Sequence, residues 1–320
     1  AKRLATKKGA EIGGLALEPD PDGLFPRFCH VKGTITYPQY QTGKPPFDTA
    51  GTFETGADGL PVQQREETAQ VSLTFPRAAM PAGGWPLVVY FHGSGGLFST
   101  PDSNDTKLEV SPEFADWAGM LTERGYAVLL PDSFYSRGYF EWDDHPRGVD
   151  DIDRMVMRSY DAYGALRYMC EQSFVDCGRV GLVGFSNGAS VALMVMHEGL
   201  EKVAGMSRLT PAAERERFVG AFPFYPGCEL QGLIDDYYPA APVAIHHGSE
   251  DSLLDGCPER VDAVRAAAEA RGVDETPLSL TIYEGADHGF DGDPRNDAET
   301  KARDEARSAT LADLERMLMP

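Results

Sequence analysis

The chain has 320 residues, 42% hydrophobic and 25% charged, with a formal net charge of −21. That length suits one large α/β domain, or less simply two smaller ones. The charge repels phosphate backbones and argues against nucleic acid as a partner, and no stretch stays apolar for the length a membrane helix needs.

Residues 1–80 are rich in Gly, Pro and Thr and poor in helical periodicity. Val31–Tyr37 and Gln70–Phe75 alternate as half-exposed strands do. This part is expected to form an N-terminal wrap and the antiparallel edge of a sheet. From Pro86 the pattern changes. Leu87–Phe91 is a continuous apolar run, as in a central parallel strand covered on both faces. A helix is expected over Phe114–Arg124, a strand over Tyr126–Leu130, and an amphipathic helix from Ile152 to Cys170. Val180–Val183 is a buried strand, and a helical pattern starts at Ala189. Strands follow at Phe218–Phe222 and Pro242–His246. An alanine-rich helix over Arg260–Arg271 stops at Gly272. The last strand is Leu278–Tyr283 and the closing helix Thr300–Met319. Such alternation means a mostly parallel central sheet with helices on both faces. The expected organisation is a single domain over 1–320, with 86–320 as its catalytic core.

Gly184-Phe185-Ser186-Asn187-Gly188 fits G-x-S-x-G between a strand and a helix. That placement marks a nucleophile elbow, a turn so tight that the positions two before and two after the serine must lack bulk. Catalytic groups gather at the carboxyl ends of parallel strands, so each strand end is a candidate. The first central strand runs into His92-Gly93-Ser94-Gly95-Gly96. A backbone N–H there, at Ser94, together with that of Asn187, would form an oxyanion hole. His92 is expected to hold the loop rather than act as a base. After Pro242–His246 three acids compete to orient a histidine: Asp251 is favoured, Glu250 is the fallback, and Asp255 lies further on. His288, after the last strand, is the expected base. His246 and His247 read as packing residues. The order Ser186, Asp251, His288 is the one this architecture uses.

Three segments carry a resemblance to a known family. Pro131-Asp132-Ser133-Phe134-Tyr135-Ser136-Arg137-Gly138 resembles the D-S-F-x-x-R-G loop of dienelactone hydrolases. Gly181–Gly188 resembles their G-L-x-G-W-S-N-G elbow, and Asp287–Phe290 their closing H-G-F. From Pro86 to Met319 the chain resembles an α/β-hydrolase of the dienelactone hydrolase family. The resemblance implies the α/β-hydrolase fold and hydrolysis of small-molecule esters or lactones, with no cofactor. Enzymes that give the family its name use cysteine at the elbow. Ser186 stands here and favours a serine carboxylesterase. A serine peptidase or acyltransferase on the same fold is the alternative, and a silent binding protein is a third reading that the complete Ser/Asp/His set opposes.

Among loop aromatics, Phe134 and Tyr225 are candidates for an apolar substrate site. Arg137 could take a substrate carboxylate, or pair with Asp143, Asp144 or Asp150. The loop Leu97–Pro112 reads as an elaboration over the site. No C-x-x-C or Cys/His spacing points to a metal. Cys228 and Cys257 follow neighbouring strands at one end of the sheet, and Cys170 and Cys177 are close in sequence. Two bridges with Cys29 free would fit a periplasmic or secreted protein. The start at Ala1 decides nothing about compartment.

Overall fold

The structure is a computed structural model, and it describes residues 28–42, 52–98, 109–137 and 151–319. Its centre is one sheet of eight strands. In chain order these are β1 (Phe28–Gln39), β2 (Arg65–Pro76), β3 (Trp85–Phe91), β4 (Ala127–Pro131), β5 (Val175–Phe185), β6 (Gly220–Phe224), β7 (Val243–Gly248) and β8 (Leu278–Tyr283). Across the sheet they run β1-β2-β4-β3-β5-β6-β7-β8. β1 and β2 pair antiparallel, and β2 meets β4 antiparallel. From β4 through β8 every pairing is parallel. The antiparallel edge expected from residues 1–80 is therefore part of the same sheet.

Among the described residues five α-helices cover its faces: α1 (Pro112–Glu123), α2 (Asp151–Cys170), α3 (Asn187–Val195), α4 (Cys257–Ala270) and α5 (Asp297–Leu318). All seven residues of β3 are buried, as its unbroken apolar run requires. Its side chains alternate between two cores. Leu87, Val89 and Phe91 join the core under α2, α3 and α4. Val88 and Tyr90 join the core under α1 and α5.

Several boundaries differ from the sequence reading, β5 for example beginning at Val175 rather than Val180, and three of them have a clear local reason. β6 runs two residues past the expected Phe222 and includes Pro223. A proline usually ends a central strand pattern because it has no N–H to give the ladder; here Phe224 still pairs with Phe185. α3 begins at Asn187, directly on the elbow, because the N–H groups of Ala189 and Ser190 both bond to the Ser186 carbonyl. α5 begins at Asp297 because the Asn296 side chain accepts the Glu299 N–H at 2.9 Å. That is an N-cap, worth about 1 kcal/mol.

Two disulfides are present. Cys170–Cys177 joins the end of α2 to β5, and Cys228–Cys257 joins the loop after β6 to the first residue of α4. No helix among the described residues is long and apolar enough to cross a membrane.

Candidate active site

β5 delivers Ser186 at the carboxyl end of the sheet with φ 51° and ψ −117°. A non-glycine residue rarely adopts that left-handed φ, and the surroundings must hold it there. The Ser186 N–H is pinned to the Phe224 carbonyl at 3.0 Å. The flanking glycines make the turn sterically feasible. A Cβ on Gly184 would lie 2.3 Å from the Gly188 carbonyl oxygen, and one on Gly188 would lie 2.4 Å from the carbonyl oxygens of both Phe91 and His92. All of these obstacles are backbone, so none can swing aside. Gly188→Ala should therefore lower stability by roughly 2–3 kcal/mol, the upper part of the usual overpacking range. A urea midpoint equal to that of the unaltered chain would refute this.

The loops after β7 and β8 bring two more groups to Ser186. His288 Nε2 stands 2.9 Å from Ser186 Oγ. His288 Nδ1 stands 2.7 Å from Asp251 Oδ2. A carboxylate can only accept, so Nδ1 carries the proton, and Nε2 is left free to accept from the serine hydroxyl. Asp251 Oδ1 accepts the Leu253 N–H at 2.9 Å. Burial raises the Asp251 pKa, but the bonds from His288 and Leu253 outweigh it and hold the carboxyl below its usual range. Of the competing acids, Glu250 is bonded by Ser249 Oγ, and Asp255 lines a cleft nearby. The ring of Tyr225 sits edge-on to His288, with centroids 4.7 Å apart, and its hydroxyl donates to Asp291.

His92, His246 and His247 are held in place by structural bonds. His92 is fully buried; its Nδ1 bonds the Gly93 carbonyl at 2.8 Å and its Nε2 accepts the Ser133 N–H at 3.1 Å. Burial, then the charge of Arg158, holds its pKa well below the ordinary value, so it is neutral. His246 lies between the hydroxyls of Tyr283 and Thr310, at 2.8 and 3.1 Å. His247 bonds the Pro226 carbonyl at 3.1 Å.

Two of the substrate-binding candidates lie away from the cleft. Arg137 is completely buried and forms a two-pronged pair with Asp161 of α2 at 2.8 and 2.7 Å, with the Ser133 carbonyl at 2.6 Å. Its guanidinium fork is already matched, so it does not face a substrate. The partners expected for it, Asp143, Asp144 and Asp150, lie outside the described residues, as do Tyr139, Phe140, Trp142 and most of the Leu97–Pro112 loop. Phe134 is enclosed, edge-on to His92 with centroids 4.6 Å apart. Tyr225 does reach the cleft.

Sequence reasoning missed Arg158. This buried side chain of α2 donates to the His92 carbonyl at 2.7 Å and to the Asn187 side-chain oxygen. It ties together the two loops that carry Ser94 and Asn187. A helix-period pattern reads such a residue as surface, because a buried cation among backbone carbonyls leaves no trace in spacing.

Ser186 lies where two clefts meet. One, of about 480 Å³, is lined by Met155, Ser190, Glu229, Leu230, Leu253 and Asp255. The other, of about 530 Å³, is lined by Tyr90, Glu113, Phe114, Tyr225 and His288. Both include Ser94. Among the described residues, one group of acidic and sulfur ligands is compact enough for a metal, Cys170, Cys177 and Glu216. Its two sulfurs are bonded to each other.

A strand-elbow-helix serine on a mostly parallel sheet defines an α/β-hydrolase. The model of the dienelactone hydrolase family matches residues 77–318, and the chain belongs to that family. A carboxymethylenebutenolidase of Rhodococcus opacus is 25% identical over 226 residues, covering 65% of this chain and 77% of that protein. Among solved structures, a dienelactone hydrolase from Klebsiella pneumoniae has a TM-score of 0.53 at 15% identity, covering 88% of this chain and 98% of its own. Esterase 2 of Thermogutta terrifontis, phosphorylated by paraoxon, has a TM-score of 0.55 at 17% identity, covering 88% and 96%.

Proposed function

We propose that the chain, acting as one unit over 1–320, hydrolyses carboxylic esters through an acyl-enzyme on Ser186. The observation that carries this is the continuous line from Asp251 through His288 to Ser186, with steps of 2.7 and 2.9 Å. His288 takes the hydroxyl proton as Ser186 Oγ bonds to the acyl carbon. Asp251 holds the imidazole tautomer and steadies the imidazolium that forms. The backbone N–H groups of Ser94 and Asn187 receive the oxyanion, and Arg158 keeps their two loops in register. The tetrahedral intermediate then expels the alcohol, which leaves with the proton from His288. Water, deprotonated by His288, cleaves the acyl-enzyme, releasing the acid and restoring Ser186.

The substrate is a neutral ester. The butenolide in the name of the Rhodococcus relative carries a carboxylate. Here Arg137 is committed to Asp161, carboxylates line both clefts, and Arg295, the cation in the lining of one, is paired with Glu299 at 2.6 Å. The test is a fluorophosphonate probe, chosen because the Thermogutta esterase is phosphorylated by paraoxon. It should label the chain and not its Ser186→Ala variant, and an ester panel should be turned over. Turnover of peptide amides in place of esters would move the reading to a peptidase. No labelling and no turnover would overturn it.

A further inference from the structure

We propose that the cleft on the His288 side of Ser186 holds the leaving group, and that it selects esters of alcohols bearing a second hydroxyl, such as glycerol. The inference rests on the esterase reading and names the substrate class for that site.

Orientation comes first. When the C–O bond of the tetrahedral intermediate breaks, the proton on His288 Nε2 passes to the departing alcohol oxygen. The alkoxy group must therefore lie against His288. His288 lines the cleft that contains Tyr90, Glu113 and Tyr225, and it is not part of the lining of the other. The acyl group then falls to the cleft lined by Met155, Leu230 and Leu253.

Selectivity comes from the wall of the leaving-group cleft. Tyr90 is fully buried, yet its hydroxyl makes no hydrogen bond among the described residues. Its ring is fixed against Phe185 and Phe114, with centroids 4.6 and 5.2 Å apart, so the hydroxyl cannot turn toward a distant partner. A buried polar group without a partner is unfavourable, and native structures rarely keep one without reason. The neighbouring Asp291 makes no bond to it: its oxygens accept from Tyr225 and from Trp117 Nε1 at 2.8 Å. The cleft thus places an unmatched phenol near the Glu113 carboxyl; Asp293 and Arg295 also line it, and Arg295 is paired with Glu299 at 2.6 Å.

A ligand hydroxyl satisfies both, accepting from Tyr90 while donating to Glu113. Burial and the charge of Asp291 push the Glu113 carboxyl up, and a hydroxyl, donor and acceptor at once, suits either form. A plain alkyl group would leave Tyr90 unmatched. A carboxylate or phosphate would meet Glu113, Asp291 and Asp293, while Arg295, the cation of that lining, is already paired with Glu299 at 2.6 Å and Asp287 at 3.7 Å. A quaternary ammonium would be drawn by charge but could accept nothing from Tyr90. The faces of Phe114 and Tyr225 supply apolar contact for the carbon skeleton.

The test compares three butyrate esters: propyl butyrate, glycerol 1-monobutyrate and butyrylcholine. The glycerol ester should show a kcat/KM about tenfold above the propyl ester, the scale of one net hydrogen bond. In Tyr90→Phe, which keeps the ring and removes only the hydroxyl, that ratio should fall to near one. Should Tyr90→Phe fail to fold, judged by its melting curve and by fluorophosphonate labelling, Glu113→Ala replaces it and should lower the same ratio. Equal rates on propyl and glycerol esters, a preference that survives these substitutions, or butyrylcholine as the best substrate would each overturn the proposal. Failure to hydrolyse any of the three is a different result and counts against the esterase reading itself.

Discussion

Ser186→Ala should cut kcat on a carboxylic ester by about 10⁴-fold or more, with the fold intact. The size follows from what the substitution removes. Alanine keeps the Cβ that the elbow already accommodates and deletes only the oxygen that His288 addresses at 2.9 Å. Both clefts keep their lining, so the ester still binds and KM should move far less than kcat. Stability should also hold. The Ser186 backbone bonds through its N–H to Phe224 and through its carbonyl to Ala189 and Ser190, and none of these involves the hydroxyl. The measurement is kcat beside a melting curve, with active-site titration to exclude contaminating unaltered enzyme. A variant that retains activity within tenfold of the unaltered chain would place the nucleophile elsewhere.

Asp251→Asn should cost about 10³- to 10⁴-fold in kcat, for a reason of proton placement. Asp251 accepts twice, from Leu253 N–H at 2.9 Å and from His288 Nδ1 at 2.7 Å. Asparagine has one acceptor and one donor end. If its oxygen stays with Leu253, its NH₂ faces His288 and forces the proton onto Nε2. The imidazole then points a donor at Ser186 and can no longer act as its base. The same position sets a pH dependence of stability. The folded pKa of Asp251 lies below its unfolded value. Its contribution is therefore present above the ordinary carboxylate range and is lost as pH falls through the lowered value. The difference in melting temperature between the unaltered chain and Asp251→Asn should be largest near neutrality and shrink in acid. A constant difference across that range would show that Asp251 contributes packing rather than charge.

The sheet was legible because its strands are short apolar runs in a regular alternation with helices. Ser186, Asp251 and His288 were legible because each sits just beyond a strand that ends at the same side. The pattern needs no knowledge of side-chain direction. Arg137 was not legible in this way. Its partner Asp161 is 24 residues away, on a helix whose phase relative to the loop no spacing rule provides. Arg158 and Tyr90 were hidden for a related reason. Both lie on well-patterned elements, where one polar atom among apolar neighbours is invisible until the packing is known. β6 was misplaced because Pro223 mimics a strand end.

The acid lining of the other cleft bears on how the reaction ends. Glu229 and Asp255 flank the cleft assigned above to the acyl group, in a chain of net charge −21. A neutral ester enters without penalty, but hydrolysis leaves an anion there. Repulsion then favours departure of the acid and opposes its rebinding, which limits inhibition by the product. Inhibition by added butyrate should accordingly be weak at low salt and strengthen as ionic strength screens the carboxylates. Inhibition that weakens with salt would reveal a cation holding the product instead. Where the acid lining governs, each turnover generates the charge that clears the site for the next.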